Sequence, residues 1–221
     1  MKIKAVVFDL DGVIIDSEKL SMECWKKVAK IHNLSNIEEA VYSCIGYTYE
    51  DAKRQMRKIY GDSFDFDGLK KEKTNLYEQL CAENNLLLKT GVVELLAFLK
   101  ENNVLVGLAT STVTNIVNKI LFDYDLSDFF DVAVCGDMVE RGKPAPDVYL
   151  DACKRLKCRP EECLAIEDSY NGILAAKCAG MKVIMVPDLL GPEILDEKTV
   201  AMVKNNLLDV KEYLIECYMK A

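Results

Sequence analysis

Ala5-Val6-Val7-Phe8-Asp9-Leu10-Asp11-Gly12-Val13 is the stretch that decides the fold of this 221-residue chain. Its first four residues make an apolar run, β-branched and aromatic, of the kind found in strands buried on both faces inside parallel sheets. Two carboxylates follow, two positions apart, and a glycine then lets the chain turn. Ligands of parallel sheets gather at the carboxyl ends of the strands. A carboxylate held there binds a hard divalent cation or attacks an electrophile, and a second one beside it moves a proton. The stretch predicts an α/β protein with an acidic, metal-assisted site.

Further short apolar runs extend the pattern. Strands are expected at Val104 to Ala109, Val132 to Cys135, Leu164 to Ile166 and Val183 to Val186. Helical patterns separate most of them: one opening at Gly91 with Val92, Val93, Leu95, Leu96 and Leu99, then Val113 to Phe122, Asp147 to Leu156 and Ser169 to Ala179, with a closing helix at Leu207 to Met219. Alternation of this kind builds right-handed βαβ units on a parallel sheet. The interval from Ser17 to about Lys89 has no convincing strand. Its periodic segments, Leu20 to Ile31, Ile37 to Cys44, Thr48 to Tyr60 and Leu69 to Asn84, read as a helical insertion of the sort that closes over strand ends as a lid. The expected division is a core of residues 1–15 and 90–221 and a cap of residues 16–89.

Composition narrows the function classes. Half the residues are hydrophobic, too many for a disordered chain and enough for one substantial core. A net charge of −8 repels nucleic-acid backbones and anionic lipid, so neither is an expected partner. Nothing approaches the roughly 20 apolar residues of a membrane span, and the amino terminus runs into a strand without a signal-peptide layout, so a cytoplasmic location is expected. The nine cysteines include no Cys-x-x-Cys pair and fall mostly in apolar stretches, as reduced, buried residues do. Cys153, Cys158 and Cys163 lack zinc-knuckle spacing, and His32 is the only histidine. The basic groups Lys53-Arg54, Arg57-Lys58 and Lys70 to Lys73 read as solvated helix faces ahead of an anion-binding patch.

Four strand ends deliver distinct functional groups: Asp9 and Asp11 from the first, Thr110, Ser111 and Thr112 from the second, Lys143 after the third, Glu167 and Asp168 from the fourth. Each has a simpler reading, Thr110, Ser111 and Ser169 as helix caps and Lys143 as an exposed loop lysine. Together they match phosphoryl transfer, whose charged equatorial oxygens require a cation, an ammonium, hydroxyls and amides. Magnesium needs several carboxylate or carbonyl oxygens, which Asp9, Asp168, Glu167 and a backbone carbonyl near Asp11 supply. Gly136 to Lys143 superficially suggests a P-loop. It has one residue too many before Gly142, and Pro144 stands where a Ser or Thr should bind magnesium. Pro144 and Pro146 instead stiffen the loop that aims Lys143 and start the next helix.

Asp9-Leu10-Asp11-Gly12-Val13, Ala109-Thr110-Ser111, Gly142-Lys143-Pro144 and Ile166-Glu167-Asp168-Ser169 with Gly172 and Ala175-Ala176 resemble the four signature motifs of the haloacid dehalogenase-like phosphotransferase superfamily. Across essentially the whole chain the sequence is similar to the β-phosphoglucomutase-like sugar phosphatase branch. The resemblance implies a Rossmann-like parallel sheet core with an inserted small α-helical cap. It implies Asp9 as the nucleophile that becomes an aspartyl phosphate, Asp11 as acid and base, Thr110 and the Ser111 amide as phosphate contacts, and Lys143 as the compensating charge. Magnesium would be held by Asp9, the main-chain carbonyl of Asp11, Glu167 and Asp168. Asp11 also argues against the dehalogenase branch.

Mutases of this branch resemble one another in carrying a cap histidine and a cap-loop arginine, and those places fall on Ser21 and Tyr49. The departures favour a magnesium-dependent phosphatase of a small sugar or polyol phosphate, expected as a monomer, with Tyr47, Tyr49 and Lys53 as candidate substrate contacts. Lys53 or Arg54 stands near enough to replace the arginine, which keeps a β-phosphoglucomutase-type isomerase as the alternative. Thr48 with Asp51 also fits a helix-capping box. A catalytically silent, phosphate- or partner-binding domain is the third reading, disfavoured because no core catalytic residue is missing.

Overall fold

The computed structural model describes residues 3–44, 49–82, 87–189, 191–192 and 202–219. They form two compact units, one of residues 1–15 with 88–221 and one of residues 16–87. The larger unit resumes two residues ahead of the expected position 90. Ile15 and Leu88 pair in an antiparallel bridge, and the Lys89 amide donates to the Ile14 carbonyl at 2.9 Å, so the chain is already tied to the core there.

Among the described residues the larger unit holds a six-stranded sheet, every strand parallel to its neighbours, in the order β3-β2-β1-β4-β5-β6. The strands are β1 (Ala5–Phe8), β2 (Leu105–Ala109), β3 (Val132–Val134), β4 (Cys163–Glu167), β5 (Lys182–Met185) and β6 (Met202–Val203). The first five lie within one or two residues of the sequence expectation. The sixth was not anticipated, because two residues pairing at Ile184 and Met185 make no apolar run. All four residues of β1 are fully buried at the centre.

Register positions the site. Phe8 pairs with Leu108 on one side and Ile166 on the other, so Asp9, Ala109 and Glu167 leave the sheet in one row. The chain crosses from β1 to β2 on one flank and reaches β4 on the other, which makes the end of β1 the point where strand order reverses and a crevice opens.

Helices cover the sheet. α5 (Val92–Glu101), α6 (Thr114–Asp123), α7 (Asp147–Arg155), α8 (Tyr170–Cys178) and α9 (Leu207–Met219) follow the predicted segments, and the helices of the smaller unit precede them in the chain. Val148, Tyr149, Ala152 and Cys153 of α7 and Ile173, Ala175 and Ala176 of α8 pack on Ala5, Val7, Ala165 and Val183 of the sheet. α5 buries Val92, Leu95, Leu96 and Leu99 and packs on β2 and α9. Ser169 caps α8, its hydroxyl accepting from the Gly172 amide at 3.1 Å. Pro146 is the N-cap residue of α7.

The smaller unit is helical, as expected from its strandless sequence: α1 (Ser17–Ile31), α2 (Ile37–Tyr42), α3 (Tyr49–Tyr60) and α4 (Phe66–Ala82). Trp25, Val28, Ile37, Ala40, Met56, Phe64, Phe66 and Leu69 form its own core. α4 starts three residues before the expected Leu69, because Asp65 Oδ1 accepts from the Gly68 amide at 3.0 Å and satisfies an otherwise orphaned donor of the first turn. His32 is not a core residue; its Nε2 lies 2.8 Å from Glu72 Oε2 on the exposed side. The Thr48 half of the expected capping box lies outside the described residues.

Cys24, Cys135, Cys153 and Cys163 are buried free thiols, Cys44 and Cys158 are half-buried, and Cys178 is exposed. Among the described residues no helix is long and apolar enough to cross a membrane.

Candidate active site

Asp9 is the first residue past β1, and its amide is still held by the Ile166 carbonyl at 2.9 Å, so the neighbouring strand fixes where its carboxylate stands. It is 7% exposed. Lys143 reaches it from the loop after β3: Nζ lies 2.5 Å from Asp9 Oδ1, 2.6 Å from Glu167 Oε1 and 3.0 Å from the Ala109 carbonyl. The three partners come from the ends of β1, β4 and β2, so one ammonium joins three strand ends. The Lys143–Pro144 peptide is cis.

Glu167 is fully buried, and both its oxygens are engaged. Oε1 accepts from Lys143 and from the Tyr149 hydroxyl at 2.8 Å, while Oε2 accepts from the Asp168 amide, the Ser169 amide and the Ser169 hydroxyl. A carboxylate has about four lone-pair sites. Glu167 is therefore suited to anchoring Lys143, although one of its oxygens also lies within 4.8 Å of oxygens of Asp9 and Asp168.

Tyr149 is a site residue that sequence reading missed. Lys143 Nζ sits 5.0 Å from its ring centroid, so the phenol both donates to Glu167 and presents its face to the ammonium. The only sequence signal is its place on the apolar face of α7, which marks a core residue and no more. Burial first, then the charge of Glu167, drives its hydroxyl well above the ordinary tyrosine value, so it stays a donor.

The loop after β2 supplies hydroxyls. Thr110 is 1% exposed; its Oγ1 accepts from the Thr112 amide at 3.0 Å, which leaves its proton to donate. Ser111 is exposed. Thr112 Oγ1 donates to Asp11 Oδ2 at 2.6 Å, a contact that no motif foretold. Gly136 seats this loop: a methyl group placed on it would lie 2.2 Å from the Ser111 carbonyl oxygen, and its amide donates to the Thr112 carbonyl at 3.0 Å. Neither Thr110 nor Ser111 is the N-cap of α6; Val113 is, and Asp137 accepts from the Thr114 amide and hydroxyl.

The acidic cluster has the donor atoms a cation would need. Asp9, Glu167 and Asp168 each offer an oxygen within 4.8 Å of the others, and Lys143 pairs with the first two. Burial pushes the Asp9 carboxyl up to about 8, against the pull of Lys143 and with repulsion from Glu167 and Asp11 adding to it. Asp168 is likewise raised well above its ordinary value, by burial and then by the charges of Glu167 and Asp9. Burial by itself would lower Lys143, but Asp9 and Glu167 outweigh it and the ammonium is kept. An all-oxygen set of three carboxyl groups fits a hard divalent cation such as magnesium, which would take the place of the protons. Gly12, at φ +78°, lets Asp168 approach the chain closely: a methyl group there would lie 2.1 Å from Asp168 Oδ2.

The structure thus groups Asp9, Asp11, Thr110, Lys143, Glu167 and Asp168 at one sheet edge, with Ser111 in the adjoining loop. Tyr49 and Lys53 belong to the helical unit. There they share Asp67, the Tyr49 hydroxyl donating to Oδ1 and Lys53 Nζ lying 2.5 Å from Oδ2. Tyr47 lies outside the described residues.

Comparison with known proteins follows the same lines. The family model described as haloacid dehalogenase-like hydrolase matches residues 6–186. The chain is 34% identical over 208 residues to a phosphorylated carbohydrates phosphatase of Thermotoga maritima, covering 91% of this chain and 94% of that one. It is 31% identical over 203 residues to hexitol phosphatase B of Escherichia coli K12, covering 84% of each. It is similar in structure to a beta-phosphoglucomutase from Clostridium difficile, with a TM-score of 0.74 and 28% identity, over 99% of this chain and 98% of that one.

Proposed function

This chain belongs to the haloacid dehalogenase-like hydrolases, and from that membership we propose that it is a magnesium-dependent phosphatase of a small phosphorylated carbohydrate, acting through an aspartyl phosphate. The observation that carries the reading is the buried Asp9 carboxylate with Lys143 Nζ at 2.5 Å and a second carboxylate, Asp11, two residues away. A lone metal site has no use for that ammonium, whereas a phosphoryl group does.

Asp9 attacks phosphorus; its bond to phosphorus forms as the bond to the leaving alcohol oxygen breaks. Asp11 gives its proton to that oxygen. In the second half Asp11 takes a proton from water, the water oxygen bonds to phosphorus, and Asp9 is released as carboxylate. The Thr110 hydroxyl and the Ser111 amide donate to phosphoryl oxygens, and Lys143 balances the charge that gathers between Asp9 and the phosphoryl group. Glu167, held by Tyr149 and the Ser169 turn, keeps Lys143 aimed. Asp9, Asp168 and the main-chain carbonyl of Asp11 would hold magnesium, with Glu167 beside them. The bound cation would supply positive charge to the phosphoryl oxygens.

Carbohydrate phosphates are the preferred substrate class because the relatives' names specify them. The test is phosphate release from a panel of phosphorylated sugars and polyols with and without magnesium. Magnesium-dependent release, abolished in a folded Asp9→Asn variant, is expected; full activity in that variant would refute the mechanism. A hexose 1-phosphate with its bisphosphate separates the alternatives, since free phosphate marks a phosphatase and an isomeric hexose phosphate marks a mutase.

A further inference from the structure

Asp188 lies three residues past β5, on the same edge of the sheet as the site. Its Oδ1 is 2.6 Å from Lys89 Nζ, and the two side chains are 9% and 19% exposed. Its Oδ2 is buried and has no hydrogen-bond partner among the described residues. A buried carboxylate oxygen left without a donor is costly, and native structures seldom keep one without a reason. The ion pair with Lys89 explains one oxygen and leaves the other over.

That second oxygen faces the cluster. A methyl group placed on Gly12 would lie 2.1 Å from Asp168 Oδ2 and also 3.3 Å from Asp188 Oδ2, so the two carboxylates stand side by side against the same glycine, and the charge of Asp188 is felt by Asp168. Asp188 is nevertheless outside the set of carboxylates whose oxygens lie within 4.8 Å of one another. It stands one layer farther out than a direct ligand. Magnesium gives up its water reluctantly and keeps several molecules when bound to one or two carboxylates. Each retained water carries two O–H donors that need acceptors, and a buried, charged, unoccupied acceptor is what Asp188 Oδ2 offers. Lys89 then has a purpose: bound to Oδ1, it fixes the rotation of the carboxylate and offsets its charge while leaving Oδ2 available.

We propose that Asp188, clamped by Lys89, is a positioning residue of the metal site that accepts hydrogen bonds from the water shell of the cation held by Asp9 and Asp168. The inference rests on the metal-dependent reading above. Outer partners of this kind typically contribute tenfold to a hundredfold in metal affinity.

Manganese binding, followed by the electron paramagnetic resonance signal of the free ion, tests it without reference to turnover. Wild-type protein is compared with Asp168→Asn, Asp188→Asn and the double variant Lys89→Gln/Asp188→Asn, which leaves no unpaired ammonium behind. Expected are binding by the wild type, its loss in Asp168→Asn, and about tenfold weaker binding in both Asp188 variants. Wild-type affinity in Asp188→Asn, or in the double variant should the single one not fold, would overturn the role of Asp188 and leave the metal site standing. Absence of binding by the wild type would overturn the metal reading itself, and this inference with it.

Discussion

Thr112 Oγ1 donates a 2.6 Å hydrogen bond to Asp11 Oδ2 across 101 positions of sequence. It joins the loop after β2 to the carboxylate that the proposed reaction uses twice, and so sets where that carboxylate stands between its two proton transfers. A hydrogen bond to a charged group contributes about 1.5–3 kcal/mol. Thr112→Val is expected to lower kcat by roughly tenfold or more with KM little changed, and Thr112→Ser to keep most of the activity. Steady-state kinetics of both variants check this; equal kcat in Thr112→Val and the wild type would exclude the positioning role.

Tyr149→Phe removes the 2.8 Å donor to Glu167 Oε1 while keeping the ring beneath Lys143. Oε1 then has Lys143 alone in a fully buried setting. The variant is expected to lose about 1.5–3 kcal/mol of stability, read as a lower denaturant midpoint, and to lose activity as the Glu167–Lys143 contact loosens.

Gly172→Ala is expected to be worse than a helix propensity scale suggests. A methyl group at Gly172 would lie 1.8 Å from Glu167 Oε1, so the carboxylate that holds Lys143 must move. Overpacking of this kind costs roughly 1–3 kcal/mol, and the displacement should also abolish turnover. Melting temperature and phosphate release, measured on the same preparation, separate the two effects.

The pH dependence follows from Asp9, raised by burial from 3.8 to about 8. The folded chain holds a proton there that the unfolded chain has already released. The metal-free protein should therefore be most stable below the unfolded value and lose stability as pH climbs toward about 8. A cation takes the place of that proton, so magnesium should bind more weakly as pH falls below about 8 and should release protons on binding. Denaturation midpoints across this range, with and without magnesium, check the sign. A flat metal-free profile would contradict it.

The strands, the helices and the groups at the strand ends were legible because their signals are local. Ala5 to Phe8 announces a buried strand by itself, Gly12 a turn, and the strandless stretch before Lys89 a helical unit. β6 was not legible, since Met202 and Val203 form a strand only by finding the edge of β5. Tyr149 gave no signal beyond lying in the helix expected at Asp147 to Leu156, and Gly136 only that of a false P-loop, because what each does depends on an atom it meets elsewhere in the chain: Glu167 Oε1 for one, the Ser111 carbonyl for the other.

The sequence by itself determined which chemical groups this protein owns and that β1, β2 and β4 end in them: Asp9 and Asp11, Thr110, Glu167 and Asp168, with Lys143 after β3. Tertiary structure alone decided how those groups are held. Phe8 in register with both Leu108 and Ile166 brings the strand ends level, and only then can Lys143 bridge Asp9 and Glu167, Thr112 hold Asp11, and Lys89 clamp Asp188 beside Asp168. The reason is physical. Residue type and turn chemistry act over a few positions, whereas a hydrogen bond between residues a hundred positions apart exists only once the sheet has set their distance.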